Sequence, residues 1–182
     1  MARKHPLLAG LTVAAVIATA PALACGPQIE ILFHEDSGGD VFLIENSSED
    51  PWVLVSLEID LKDSKGRVIF DTEDGGLGES MHTPFAAGDD HVGLIALPEI
   101  RDGDQEVFLQ FNAFGPGRYF SFVVDTDDRL EEDSWGQAHV SGPEMSGARA
   151  RAIVMMHDGS QTQARGRFNA QGQAVLRGGL CI

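Results

Sequence analysis

Apolar and polar residues alternate with a period of two along most of this 182-residue chain, and this limits the folds it can adopt. The clearest stretch spans residues 52–62. Its apolar side chains fall on one predicted face: Val53, Val55, Leu57, Ile59 and Leu61. A strand of this kind has one face in the core and the other in water. Because helical periodicity is nearly absent, we expect an all-β protein.

Nine further stretches alternate in the same way, at residues 29–33, 42–44, 68–70, 92–96, 107–111, 120–124, 152–156, 164–168 and 174–176. Turn-forming residues, mostly Gly with Asp, Ser and Pro, separate them. About ten short strands at this spacing predict a single antiparallel β-sandwich, immunoglobulin-like or jelly-roll in arrangement. The sandwich domain is predicted to occupy residues 25–182.

The first 24 residues have the pattern of a secretion signal. Arg3 and Lys4 form a positive start, residues 7–20 are apolar, and Ala22-Leu23-Ala24 is a small-residue cleavage site. The apolar stretch is shorter than a membrane-spanning helix requires. We therefore expect residues 1–24 to be a cleaved signal peptide, the mature chain to lack a transmembrane segment, and the protein to be exported to the periplasm or the exterior.

The chain has two cysteines, Cys25 just after the predicted cleavage site and Cys181 next to the last residue. In an oxidising compartment such a pair favours a disulfide that joins the two ends of the domain. The alternative is lipidation of Cys25, which would leave Cys181 unpaired. Lipidation favours a branched apolar residue at −3 and a small one at −2, whereas Ala22 and Leu23 come in the reverse order, so the disulfide is preferred.

The chain is strongly acidic, with 28 Asp and Glu against 13 Lys and Arg and a net charge of −15. Such a field repels nucleic acid and anionic lipid and attracts divalent cations. The composition therefore argues against nucleic-acid binding and against a polyanion partner. High acidity combined with ordinary hydrophobicity also keeps an exported protein soluble.

No motif for catalysis occurs in the sequence. It contains no G-x-S-x-G nucleophile elbow, no H-E-x-x-H and no C-x-x-C zinc signature. Pairs of carboxylates are so frequent that none identifies a glycosidase site. The predicted function is accordingly non-enzymatic.

An acidic run follows the predicted strand at residues 120–124 and is a candidate calcium site. Asp125, Asp127 and Asp128 stand at the end of that strand. Loops at strand ends readily supply the six to eight oxygen ligands that calcium prefers. The spacing is not that of an EF-hand, because Leu130 occupies the position of the invariant glycine. The alternative interpretation is a solvated acidic loop.

A second hypothesis is a periplasmic copper-handling protein that uses thioether and imidazole ligands. Met81 and His82 are adjacent in one predicted loop, and Met155 and His157 share one face of a strand end. A third hypothesis is a carbohydrate-binding accessory module, with Trp52 or Trp135 as an aromatic platform.

Several short motifs occur in an order that is similar to one known group of proteins: Phe70-Asp71-Thr72, Gly76-Leu77-Gly78, Thr83-Pro84-Phe85, Pro98 with Asp102-Gly103-Asp104, FVVDTDD at 122–128 and VSGPEMSGA at 140–148. Together they resemble the exported bacterial proteins labelled "aggregation factor core", after a sponge cell-adhesion proteoglycan. The resemblance implies a calcium-linked adhesive β-domain whose partner is a protein or a glycan at the cell surface. It also implies that the acidic segment and the glutamate of the last motif bind the ion, which corresponds to Asp125, Asp127, Asp128 and Glu144.

Overall fold

A computed structural model describes residues 26–49, 51–79, 81–88, 91–131 and 136–179. The all-β prediction is confirmed. The elements are β1 Gln28–His34, β2 Asp40–Asn46, β3 Val53–Asp60, β4 Ile69–Asp71, β5 Ala86–Ala87, β6 Glu106–Phe114, β7 Tyr119–Asp127, α1 Gly142–Met145, β8 Arg149–Met155, β9 Gln161–Arg167 and β10 Gln173–Arg177.

All ten strands belong to one antiparallel sheet that curls into a half-barrel. The order is β4-β7-β2-β1-β10-β9-β8-β3-β6, and β5 also pairs with β7. The two packed sheets of the predicted sandwich are not confirmed, because the hydrogen-bonded ladder runs without a break from β4 to β6. Period-two alternation shows which face of a strand is buried, and a sandwich and a curled sheet both bury one face of each strand.

Aromatic rings fill the concave side of the sheet. Phe42 of β2 stacks on Phe122 of β7, with ring centroids 4.8 Å apart, and Phe33 of β1 meets Phe42 edge-on at 5.2 Å. Phe85, which precedes β5, stacks on Phe122 at 5.0 Å. Ring pairs in these arrangements add stability beyond the area they bury. The core therefore fixes β7, and with it the side chains at its carboxyl end.

The predicted buried face of β3 is wrong over its first half. A β-bulge between Leu54 and Ser56 shifts the register against both β6 and β8. Leu54 is consequently fully buried, while Val53 and Val55 are only half-buried. One extra residue in a strand exchanges the faces of every residue before it. From Leu57 onward the predicted face is confirmed.

The predicted strand at residues 92–96 is not a strand; Leu94 makes an isolated bridge to Phe111 of β6. This segment follows β5, a two-residue strand that the alternation did not indicate. Ala86 and Ala87 pair with β7 and Leu94 contacts β6, so the described parts of this segment border two different strands. Apolar alternation here reflects contact with the core and not strand pairing.

The first and last strands are neighbours. β1 pairs with β10, Gln28 lies opposite Arg177, and the Gly178 N–H donates to the carbonyl of Pro27 at 3.4 Å. The two predicted disulfide partners, Cys25 and Cys181, lie outside the described residues, as does the predicted signal peptide. Within the described part of the chain, no helix has the length and apolarity needed to cross a bilayer.

Candidate metal centre

Three aspartates converge on the convex face of the β4–β7 pair. Asp71 lies directly opposite Asp125 in the register, and Asp127 follows two residues later on the same face. Successive side chains in a strand point to opposite faces, so Val124 and Thr126 lie on the core side. Asp71, Asp125 and Asp127 together form what we call the acid cluster.

The acid cluster is tight and buried. Each aspartate offers a carboxylate oxygen, and the three oxygens lie within 4.8 Å of one another. Asp71 is 3% exposed, Asp125 9% and Asp127 1%. The Oδ1 atoms of Asp71 and Asp127 are buried without a hydrogen-bond partner. A buried polar atom left without a partner is costly, which indicates a ligand at this point.

Residues 72–79, the covering segment, shield the acid cluster from water. The Glu79 N–H donates to Oδ2 of Asp127. Gly78 lies so close that a Cβ atom there would be 2.3 Å from Oδ2 of Asp71 and 2.5 Å from Oδ2 of Asp127. Only glycine lets the backbone approach the carboxylates this closely.

Asp102 holds the covering segment in place. Its Oδ1 accepts from the Thr72 N–H at 3.1 Å, and its Oδ2 accepts from the Leu77 N–H at 2.6 Å. A Cβ atom on Gly76 would lie 2.4 Å from that Oδ2. Burial acts to raise the pKa of Asp102, but these backbone hydrogen bonds outweigh it, and its pKa lies below the ordinary value.

The carboxyl groups of the acid cluster hold their protons far more strongly than free aspartate does. Burial, together with the charges of Asp71 and Asp125, raises the pKa of Asp127 to about 7. Burial and the charge of Asp71 raise the pKa of Asp125 to about 6. The pKa of Asp71 is raised by burial and by its contact with Asp102. Such a cluster can hold protons or bind a cation in their place.

Another buried aspartate lies on the neighbouring strand. Oδ2 of Asp40 accepts from the backbone N–H of Thr126 at 3.0 Å and from its hydroxyl. Burial raises the pKa of Asp40 to about 8, although the Thr126 bond opposes this. Asp40 is hydrogen-bonded on the β2 side of β7 and is not part of the acid cluster.

The structure brings together two of the four predicted calcium ligands, Asp125 and Asp127. Asp128 comes one residue later and its Oδ1 accepts from the Leu130 N–H at 2.7 Å. Oε2 of Glu144 accepts from the N–H and the hydroxyl of Ser141, at 2.7 and 2.6 Å. The bond from the Ser141 N–H belongs to the capping box of α1, so the structure gives Glu144 a role in starting a helix.

Asp71 and Asp102 were not among the ligands expected from the sequence. Both occur within the motifs that resemble the aggregation-factor proteins, Phe70-Asp71-Thr72 and Asp102-Gly103-Asp104. The glycines of Gly76-Leu77-Gly78 are those that approach the carboxylates most closely. The recurrence of these motifs in order was therefore the available signal, although it did not say that they meet in space.

The four proposed copper ligands lie at opposite ends of the sheet. His82 lies close enough to Asp71 to favour its charged form, at the carboxyl end of β7. Neighbouring strands run antiparallel in the order β7, β2, β1, β10, β9, β8. The carboxyl end of β7 therefore lies at the same end of the sheet as Arg149, the first residue of β8. Met155 ends β8 and His157 follows it, at the other end. The structure does not bring the methionine–histidine pairs together.

The two tryptophans do not form a described platform. Trp52 is half-buried and packs against the hydrophobic core. Its carbonyl accepts from the side-chain amide of Asn46 at 2.8 Å. Trp135 lies outside the described residues. Trp52, the tryptophan that the structure describes, is therefore not an exposed platform for a carbohydrate.

Comparison with protein-family models, with curated proteins and with solved structures found no match to this chain. The resemblance to aggregation-factor proteins and the absence of enzymatic activity remain predictions. The geometry described above is thus the main source for a functional proposal.

Proposed function

We propose that this protein is a secreted or cell-surface-associated, non-enzymatic β-domain that is stabilised by calcium and serves adhesion or protein interaction. The observation that carries the proposal is the acid cluster, whose three buried carboxylates lie together with two oxygen atoms unpartnered. The calcium site proposed is Asp71, Asp125 and Asp127, in place of the four residues expected from sequence.

The charge of the acid cluster is not balanced by a Lys or an Arg of the described chain. No Lys or Arg in the described ranges forms an ion pair with any of the three aspartates. Near neutral pH the cluster must either keep protons or bind a cation. A donor set made only of carboxylate oxygens suits calcium or magnesium and not a soft metal.

Calcium suits the acid cluster better than magnesium because it accepts irregular geometry and several carboxylates at once. Three carboxylates leave room for further oxygen ligands, such as backbone carbonyls and water. The covering segment already hydrogen-bonds to the cluster, so an ion bound there would stabilise residues 72–79. The covering segment includes Leu77, which is 60% exposed. We infer that a partner contacts the segment at Leu77, and that this contact depends on the ion because the ion stabilises the segment.

Export and the terminal disulfide are parts of the same proposal. The pairing of β1 with β10 supports a bond between Cys25 and Cys181, because the described residues next to each cysteine lie side by side. Closing a loop of this length adds up to about 5 kcal/mol in the chain-entropy treatment. Thiol titration of the denatured, unreduced protein should then find no free thiol.

Thermal melts of the oxidised protein in chelator, in calcium and in magnesium test the proposal. At about 100 times its dissociation constant, a ligand bound only to the native state adds about 2.7 kcal/mol, or about 5–10 °C in Tm for a domain of this size. We expect this rise with calcium, its loss in Asp71→Asn, and its retention in Asp104→Asn, a matched loss of charge outside the cluster. No rise in the wild type, or an undiminished rise in Asp71→Asn, would contradict the assignment.

A further inference from the structure

Five arginines lie on the convex face of three adjacent strands, far along the sheet from the acid cluster. Arg149 and Arg151 are in β8, Arg165 and Arg167 in β9, and Arg177 in β10. We call them the arginine face. Within residues 149–179 these five charges are accompanied by a single acid, Asp158. Five of the 13 Lys and Arg residues of this acidic chain therefore lie on one surface.

The arginines are directly opposite one another in the register. Arg149 pairs with Arg167, Arg151 with Arg165, and Arg165 with Arg177. Neighbouring strands lie about 4.8 Å apart, so Arg151, Arg165 and Arg177 form a row that repeats at about that distance. Like charges directly opposite each other destabilise a sheet.

Acids of the chain neutralise only one side of the arginine face. Asp63 binds Arg149 at 3.0 Å and Arg167 at 3.5 Å, and Glu58 binds Arg151. Arg165 and Arg177 instead contact neutral amides: Nε of Arg165 donates to Gln163 at 2.8 Å, and Nε of Arg177 donates to Gln28 at 3.2 Å. Both guanidinium groups are exposed and form no ion pair in the described chain.

Two shallow concavities meet at Arg165. One, of about 450 Å³, is lined by Arg149, Arg151, Arg165 and Arg167 with Asp60 and Gly166. The other, of about 570 Å³, is lined by Gln163, Arg165, Arg177 and Gly178 among others. The two concavities are open and share Arg165, so together they reach across β8, β9 and β10. An open surface of this kind suits a linear ligand better than a small molecule, which prefers an enclosed pocket.

We propose that the arginine face binds an acidic polysaccharide through its carboxylate or sulfate groups. The planar guanidinium group matches both anions in a bidentate manner. The glutamine amides beside Arg165 and Arg177 provide hydrogen bonds for sugar hydroxyls. The negative net charge of the chain does not prevent this, because at physiological salt charges further away than about 8 Å are largely screened.

The test is titration calorimetry of the full mature protein at about 50 mM salt, with polygalacturonate, dextran sulfate and neutral dextran as probes. It is done in chelator, so that calcium cannot bridge the polymer to the acid cluster. We expect binding to at least one anionic polymer, weakening as salt is raised, and none to neutral dextran. The tighter of the two anionic polymers identifies the anion, carboxylate or sulfate.

The deciding variant is Arg165→Gln with Arg177→Gln, which removes two charges that make no ion pair. We expect at least tenfold weaker binding. Arg101→Gln with Arg118→Gln is the matched control, with the same change in net charge elsewhere, and should bind as the wild type does. Equal losses in both variants, or no binding to either polymer, would overturn the proposal.

Sedimentation of the protein without polymer tests whether the arginine face binds a second copy of the chain or a polysaccharide. The described part of residues 72–106 carries seven acids and one arginine, so a second copy of the chain is the competing occupant. A wild type that sediments as an oligomer and a double variant that sediments as a monomer would overturn the polysaccharide assignment. A wild-type monomer would support it.

Discussion

The acid cluster and the arginine face lie on the same convex side of one sheet, and both place like charges opposite each other across paired strands. They differ in their exposure to water. Asp71 and Asp127 are buried beneath the covering segment, whereas Arg165 and Arg177 are exposed. Repulsion that water screens at the surface is much stronger where water is excluded. The first region therefore needs a proton or a cation to fold stably, and the second only gains from an anion.

The largest effect is expected from a substitution that displaces the covering segment from the acid cluster. Gly78→Ala places a methyl group 2.3 Å from a carboxylate oxygen of Asp71. We expect a loss of about 1–3 kcal/mol, typical of overpacking, and loss of the calcium response. Gly115→Ala is the control, because nothing lies within 4 Å of its added Cβ. Denaturant unfolding with and without calcium measures both effects, and a full calcium response in Gly78→Ala would contradict the role given to the segment.

The pH dependence of stability tests whether protons and calcium compete for the acid cluster. The pKa values of Asp125 and Asp127 are raised in the folded state to about 6 and about 7, so the folded protein keeps protons that the unfolded chain loses near pH 4. In chelator, stability should therefore fall as the pH rises from about 4 to 8. Calcium should reduce this fall because it replaces the protons.

The variant Asp127→Asn tests the same competition between protons and calcium more directly. At pH 8 in chelator it removes a buried charge, and we expect a gain of at least about 1.4 kcal/mol, the equivalent of one pKa unit. The slope of stability against pH should also decrease. Asp40, whose pKa is raised to about 8 by burial and in part by the charge of Asp125, contributes to the slope that remains. A wild type whose stability in chelator rises between pH 5 and pH 8 would exclude the buried acid cluster.

A smaller effect distinguishes the ligand set predicted from the sequence from the one proposed from the structure. Glu144→Ala removes the capping box of α1 and should cost about 1 kcal/mol, as the loss of a helix cap does. The increment in Tm from calcium should be unchanged, since Glu144 lies outside the acid cluster. If calcium no longer stabilises Glu144→Ala, the residue is a ligand after all.

The smallest effect is expected on the arginine face. Arg165→Gln with Arg177→Gln should change the free energy of unfolding by no more than about 0.5 kcal/mol, because both side chains are exposed. The calcium response should remain complete. Thermal melts of this variant beside Asp127→Asn show directly whether burial is what distinguishes the two regions. A loss above 2 kcal/mol would show that the arginines stabilise the fold itself.

Local patterns in the sequence predicted the strands well but carried no information about which strands pair. Nine of the ten alternating stretches became strands, but the bulge at Leu54 and Ser56 reversed the face of Val53 and Val55. A bulge depends on how two partner strands fit, so alternation within one strand does not reveal it. Ser141-Gly-Pro-Glu144 did carry a local signal, the spacing of a capping box, which the interpretation as a calcium ligand passed over.

Net charge was the least informative property of the sequence. A value of −15 argued against any polyanion partner, yet the basic residues of β8, β9 and β10 lie together on one face. Arg149 with Arg151, and Arg165 with Arg167, are each two residues apart, so each pair was predictably on one face of its strand. That the two pairs are neighbours follows only from the order of strands.

By itself, the sequence determined that the chain is all-β, that about ten short strands alternate between two faces, and that Asp125 and Asp127 point the same way. These properties depend on residues close together in the chain. Only the tertiary structure decided that the strands form one curled sheet, that Asp71 meets Asp125 and Asp127, and that the glycines of residues 76–78 cover them. The contacts of Asp71 with Asp125 and Asp127 join residues more than fifty positions apart, and strand pairing and core packing select such contacts jointly from many arrangements that satisfy the same alternation.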